Sequence, residues 1–169
     1  HAIGSEAVAR KQTAIVIGRD GRLSGPDLAA ALARGIQKSG IDVIDLGMVA
    51  TPMTYFGAYQ LGTHSAVMVT GSHNPPDYNG LKMVLGGETL AGETIQKLRE
   101  RLEKNDLVHG SGSYTQQAIA QQYIDRILSD VKLARPMKII IDCGNGVPGA
   151  YAPALFRGLG CEVTELFCE

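Results

Sequence analysis

The stretch "AVMVTGSHNPPDYNGLKMVL", residues 66–85, places a polar loop between two apolar runs, Ala66–Val69 and Leu81–Leu85. Each run is short and rich in strand-forming residues, so each reads as a strand. The Asn79-Gly80 pair favours a sharp reversal, which predicts that the second strand returns antiparallel to the first, at one edge of a sheet. Pro75 and Pro76 stiffen the loop and bias Asn74 away from helix.

Outward from this hairpin, strands alternate with helices. "TAIVIG" (13–18) and "IDVIDLG" (41–47) read as strands, as does "SAVMVT" (65–70). A helix is predicted from the Ser24-Gly25-Pro26 start to Lys38. Ser24 or Gly25 serves as its cap, Asp27 sits at its positive end, and Gly40 ends it. A second helix starts at Thr51-Pro52 and stops before Gly62, with Tyr55, Phe56 and Tyr59 as core and rim packing. Residues 1–10 read as the tail of a helix, and 91–106 as an amphipathic helix with Ile95, Leu98 and Leu102 on one stripe. "HGSGSY" (109–114) reads as a flexible spacer, followed by a helix to Val131. After Pro136 comes a strand (138–142), a glycine turn, a helix (148–159) and a strand (162–167). "ALFRGLGCEVTEL" (154–166) echoes "ALARGIQKSGIDVIDL" (31–46), an internal repeat of a strand–loop–helix–strand unit. The pattern predicts an α/β three-layer sandwich with a mostly parallel, mixed sheet. Residues 1–133 form one domain, and 134–169 begin a second of similar build.

Composition narrows the partners. A net charge of −1 supplies no global basic field for nucleic acid or anionic membrane, so an anion must be held locally. No apolar run is long enough for a bilayer, and "HAIGSEAVARKQ" does not read as a signal peptide. Cys143, Cys161 and Cys168 are too few and too widely spaced for a disulfide scaffold or zinc knuckle, which fits a reducing cytoplasmic setting. The missing initiator Met is expected of a fragment.

Within the loop, Ser72 is the candidate centre. Gly71 admits close approach by a bulky anion, and a stiff loop fixes a hydroxyl as a nucleophile requires. His73 can exchange a proton near neutral pH, and the hairpin can return the Lys82 ammonium beside Ser72. Serine, histidine and lysine around a glycine suit phosphoryl transfer. The same residues also read as a turn-rich loop whose His73 merely bonds backbone, and the residues alone leave both readings open. A serine hydrolase fits less well, since no G-x-S-x-G elbow is present. In "GRDGR" (18–22), Asp20 reads as a lock on backbone amides, while Arg19 and Arg22 are open between loop pairing and facing the serine. "GNGVPG" (144–149) matches G-x-G-x-x-G, with Glu162 and Glu165 near the spacing of a ribose-binding acid. That makes a dinucleotide-binding domain the competing reading beside a simple packing turn. His64 and His109 read as solvated, and Cys143 as a buried small hydrophobe.

"TGSHNPPDYNGLK" resembles the active-site loop of the α-D-phosphohexomutases, nearest to the bacterial phosphomannomutase/phosphoglucomutase branch. "GRDGRLSG", "DLGMVATP" and "DCGNGVPG" follow that family's text in order. The resemblance implies that Ser72 is a phosphoserine that donates its phosphoryl group to a hexose phosphate and takes another back, through a bisphosphorylated sugar. It implies catalytic roles for Ser72, His73 and Lys82, substrate contacts for Arg19, Arg22 and Asn74, and a Mg²⁺ ion on the Ser72 phosphoryl oxygen. Which of His73 and Lys82 shuttles the proton stays open. The family's clustered-aspartate metal loop and its later sugar-recognition and phosphate-clamping loops are absent from these residues. The remaining domains of the same polypeptide are therefore expected partners, and the chain by itself is expected to be inactive. A non-catalytic phosphosugar-binding module is the alternative.

Overall fold

The computed structural model describes residues 1–169, which divide into two compact units, His1–Gln117 and Ala118–Glu169. The first contains α1 (Ala2–Ala9), β1 (Ala14–Arg19), α2 (Gly25–Gln37), β2 (Asp42–Met48) and α3 (Thr51–Gln60). It continues with β3 (Ala66–Val69), β4 (Leu81–Leu85), β5 (Glu88–Thr89), α4 (Glu93–Glu103) and β6 (Tyr114–Gln116). Its six-stranded sheet runs in the order β5-β4-β3-β1-β2-β6. β1 is parallel to β2 and β3, and β2 to β6, while β4 returns antiparallel to β3 and pairs antiparallel with β5.

Strands β1 and β3 are buried on both faces, which is why they read as unbroken apolar runs rather than alternating ones. On one face Ile15, Ile17, Val43, Val67, Met83 and Leu85 pack with Ile3 and Ala7 of α1, Ala33 and Ile36 of α2, and Leu98 of α4. On the other, Val16 and Leu46 lie against Gly57 of α3, and the Thr54 hydroxyl donates to Met68 Sδ. Full burial of one such aliphatic side chain stabilises the fold by about 1.5–3 kcal/mol. The chain steps from β1 to β2 through α2 on one face, then back across β1 to β3 through α3 on the other. The direction therefore reverses between β1 and β3, and the carboxyl ends of these two strands flank the crevice where α/β sheets place ligands.

Two expectations change here. Residues 109–114 are not a loose spacer. Gly110 N donates to Lys38 O and Gly112 N to Gln37 O, and the Asp42 carboxylate accepts from both Ser113 N and Ser113 Oγ. Glycines are needed because a Cβ at position 112 would run into the Ile41 backbone. The strap ends in β6, and the hairpin ends in β5. Neither strand was expected, because edge strands of two or three residues carry no periodic signal. The second correction concerns the start of α2. Ser24 occupies the N-cap position but makes no cap bond, and its hydroxyl accepts from Asn79 Nδ2 at 3.0 Å.

The second unit holds α5 (Ala120–Asp130), β7 (Lys138–Asp142), a short 3-10 turn (Val147–Ala150), α6 (Ala152–Gly158) and β8 (Glu162–Leu166), with β7 and β8 parallel. The predicted helix over 148–159 is thus split. The units meet at Gln117/Ala118 rather than near residue 133 because α5 belongs with the second, its Leu128 lying against Gly158 of α6. Cys143 is half-buried, and the buried cysteine is Cys161. His64 and His109 are exposed, as expected, and their rings meet Tyr59 and His1 edge-on, respectively. Tyr59 is itself mostly exposed. No helix is long and apolar enough to cross a membrane.

Candidate active site

Parallel pairing of β1 with β3 sets Arg19 opposite Val69, so the segments that leave the two strands start side by side. Asp20 N donates to Val69 O, and Thr70 N to Gly80 O, which anchors the loop 70–80 at both ends. The Asp20 carboxylate then ties three groups together. One oxygen accepts from Thr70 Oγ1 at 2.8 Å and Gly71 N at 3.2 Å, and the other from Arg22 N at 3.0 Å. Thr70 Oγ1 in turn accepts from Ser72 N at 3.0 Å.

Arg22 clamps the loop from within. Its terminal nitrogens donate to the carbonyls of Ser72 (3.2 Å), Asn74 (2.7 Å), Pro75 (2.5 Å) and Tyr78 (2.9 Å), and its Nε lies 3.4 Å from Asp20. Loop carbonyls that cannot pair as strand or helix thus find a donor fork of fixed geometry. The Arg22 side chain is only 14% exposed, so removing it would leave these carbonyls without that donor. Gly71 is required beside it, since a Cβ there would overlap the guanidinium. Asn74 closes the turn through Nδ2 and its backbone N, both donating to Gly71 O.

The result is a serine in an unusual conformation. Ser72 has φ of 52°, the left-handed region, which costs a non-glycine residue about 1–2 kcal/mol. All its hydrogen bonds in the loop are made by backbone atoms, and the residue is exposed, so its hydroxyl is uncommitted. His73 is exposed beside it. Lys82, also exposed, lies on β4 opposite Met68, so it shares the sheet face that Met68 presents to α3. Arg19 donates one bond to Asp20 O and forms no ion pair, which leaves its guanidinium available to an anion.

Of the six residues predicted from sequence, Arg22, Ser72, His73 and Asn74 lie on the two apposed loops, Arg19 ends β1 and Lys82 lies on the returning strand. Arg22 and Asn74 both donate side-chain hydrogen bonds to carbonyls of the loop itself, and Asn74 is exposed. Thr70 went unrecognised. A hydroxyl two residues before a serine is the sequence signal of a side-chain turn that would have found it.

The glycine turn of the second unit is built differently. Gly149 packs where a Cβ would meet the Cys168 carbonyl, Glu165 pairs with Arg157, and Glu162 with Lys138. Both candidate ribose-binding acids are therefore engaged, and the third glycine serves packing.

A family model described as phosphoglucomutase/phosphomannomutase, alpha/beta/alpha domain I, matches residues 1–109. This chain belongs to that family. The phosphomannomutase/phosphoglucomutase of Pseudomonas aeruginosa is 55% identical over 168 residues, which is 99% of this chain and 36% of that protein. The phosphoglucomutase of Neisseria meningitidis serogroup A is 55% identical over 170 residues, 99% of this chain and 37% of that protein. A crystal structure of a phosphoglucomutase/phosphomannomutase family protein from Burkholderia thailandensis superposes with a TM-score of 0.93 at 50% identity, covering 99% of this chain and 38% of that one. This chain thus spans just over a third of the length of the curated relatives it matches.

Proposed function

We propose that this chain is the serine-bearing part of an enzyme that interconverts hexose 1-phosphates and 6-phosphates of mannose, glucose or both. The observation that carries this reading is the exposed Ser72, with an uncommitted hydroxyl, held in a left-handed conformation by Asp20, Thr70 and Arg22. A nucleophile fixed by its backbone needs no reorganisation when the substrate arrives. In this reading Ser72 carries a phosphoryl group and gives it to the free hydroxyl of a hexose phosphate. It then receives the other phosphoryl group from the bisphosphorylated sugar. His73 and Lys82 supply the mobile proton and the stabilising charge, and Arg19 offers an unpaired guanidinium to the phosphate.

The Mg²⁺ of the proposal needs ligands that this chain does not assemble. Its His, Cys, Asp and Glu side chains form no group of three that could hold a metal. Asp20, on the loop apposed to the serine loop, spends both oxygens on Thr70, Gly71 and Arg22. We therefore assign the carboxylates to the rest of the polypeptide, with only the Ser72 phosphoryl oxygen contributed from here. Residues 1–117 then act as domain I and 118–169 as the opening of a similar domain II, in a cytoplasmic enzyme. Residues 1–169 alone do not turn over.

The test is phosphorus NMR of hexose 1-phosphate incubated with the full-length protein. Appearance of the 6-phosphate, lost in Ser72→Ala and absent for residues 1–169, supports the reading. Sugar phosphate binding without interconversion would favour a non-catalytic phosphosugar-binding module.

A further inference from the structure

The second unit places two thiols together at the end of its sheet. β7 and β8 run in register to the pair Asp142 and Leu166, so Cys143 and Cys168 both lie just past the strand ends. They converge on one acceptor. Cys143 N donates to Leu166 O at 3.1 Å, and Cys168 Sγ lies 3.4 Å from the same oxygen. Cys168 Sγ also lies 3.8 Å from Ile141 O, so its side chain folds back over β7 toward Cys143 rather than away from it. Both residues are half-buried. Cys161, by contrast, is buried just before β8 begins.

We propose that Cys143 and Cys168 form a reversible redox site, closing a disulfide that ties the glycine turn 143–146 to the end of β8. The co-reactant is a small-molecule disulfide. One thiolate of the pair attacks a sulfur of that disulfide, releases one small thiolate and leaves a mixed disulfide. The neighbouring cysteine loses its proton, attacks the mixed disulfide at the protein sulfur, expels the second small thiolate and closes the Cys143–Cys168 bond. The pair gives up two electrons and two protons, and the small disulfide becomes two thiols. In a reducing compartment the dithiol is the resting form, which suits a sensor rather than a structural bridge. Partial desolvation and the neighbouring Cys168 hold the Cys143 thiol above its ordinary range. The inference is independent of the proposed chemistry at Ser72.

The experiment incubates the reduced full-length protein with a series of oxidised-to-reduced glutathione ratios, followed by acid quenching and alkylation. Digestion after lysine, arginine and glutamate puts the three cysteines on separate peptides. The expected product is a Cys143–Cys168 cross-linked peptide that rises with the oxidised fraction, disappears on reduction, and is absent from Cys143→Ser and Cys168→Ser. Cys161→Ser should leave it unchanged. Full alkylation of both cysteines at every ratio, separate glutathione adducts without a cross-link, or pairing with Cys161 would overturn the proposal.

Discussion

Two turns leave strand ends in this chain, and they hold similar backbone shapes by different means. Ser72 and Asn145 have φ of 52° and 55°. Around Asn145 the support is mostly local: the Asp142 carboxylate accepts from Gly144 N, Gly146 N donates to Cys143 O, and one bond from Asn145 N reaches Phe167 O. Asparagine adopts the left-handed region more readily than most residues, so little more is needed. Serine does so less readily. Its turn is held from a different strand, by an aspartate fifty residues away in sequence from Thr70 and an arginine bonded to four carbonyls. Tertiary bracing of an unfavourable conformation marks the position where chemistry is proposed.

Removing the brace should have the largest effect. Asp20→Ala leaves Thr70 Oγ1, Gly71 N and Arg22 N without their acceptor, and a destabilisation of about 2–4 kcal/mol is expected in denaturant melts. Activity of the full-length protein should fall further than stability alone explains, since Ser72 loses its fixed position. Asp142→Ala, which removes a single local bond, should cost about 1 kcal/mol. Equal losses at the two turns would erase the distinction.

Next in size is Gly71→Ala, whose methyl group displaces the Arg22 guanidinium and should cost about 1–3 kcal/mol by overpacking. Gly144 and Gly146 face no such side chain. A smaller and opposite effect is expected from Ser72→Gly. It relieves the left-handed strain and should stabilise the folded state by up to about 1 kcal/mol relative to Ser72→Ala, while both abolish phosphoryl transfer. A Gly variant no more stable than the Ala variant would mean that the serine conformation is not strained.

The smallest effect concerns the strap over β2. Backbone and side-chain hydrogen bonds from Ser113 hold the Asp42 carboxyl below its usual range. A depressed folded value means the stabilisation is present above the ordinary carboxylate pKa of about 4 and is lost as pH falls through the folded value. Amide exchange of residues 113–116 should therefore accelerate selectively in acid, and Asp42→Asn should remove that dependence.

The sheet's interior was legible because β1 and β3 are buried on both faces and have no polar position to confuse the pattern. The hairpin was legible through Pro75, Pro76 and Asn79-Gly80. β5 and β6 were not, because they are defined by what they pair with. The strap at 109–114 looks like a linker in composition, and its glycines are explained only by the backbone they pass. At the site the same limit holds. Ser72 and its neighbours form a contiguous motif, but the role of Thr70 and the engagement of Arg22 with loop carbonyls depend on the pairing of β1 with β3. Spacing along the chain does not encode that adjacency.

The central claim is that Ser72 carries a phosphoryl group and passes it to sugar. The most direct measurement is phosphopeptide mapping of the full-length protein purified from its own cells, before and after exposure to hexose phosphate. The account predicts phosphate on Ser72 at the start, exchange of that phosphate with label from the sugar, and neither in the Ser72→Ala protein. A phosphate-free Ser72 in a protein that still interconverts the sugar phosphates would contradict it.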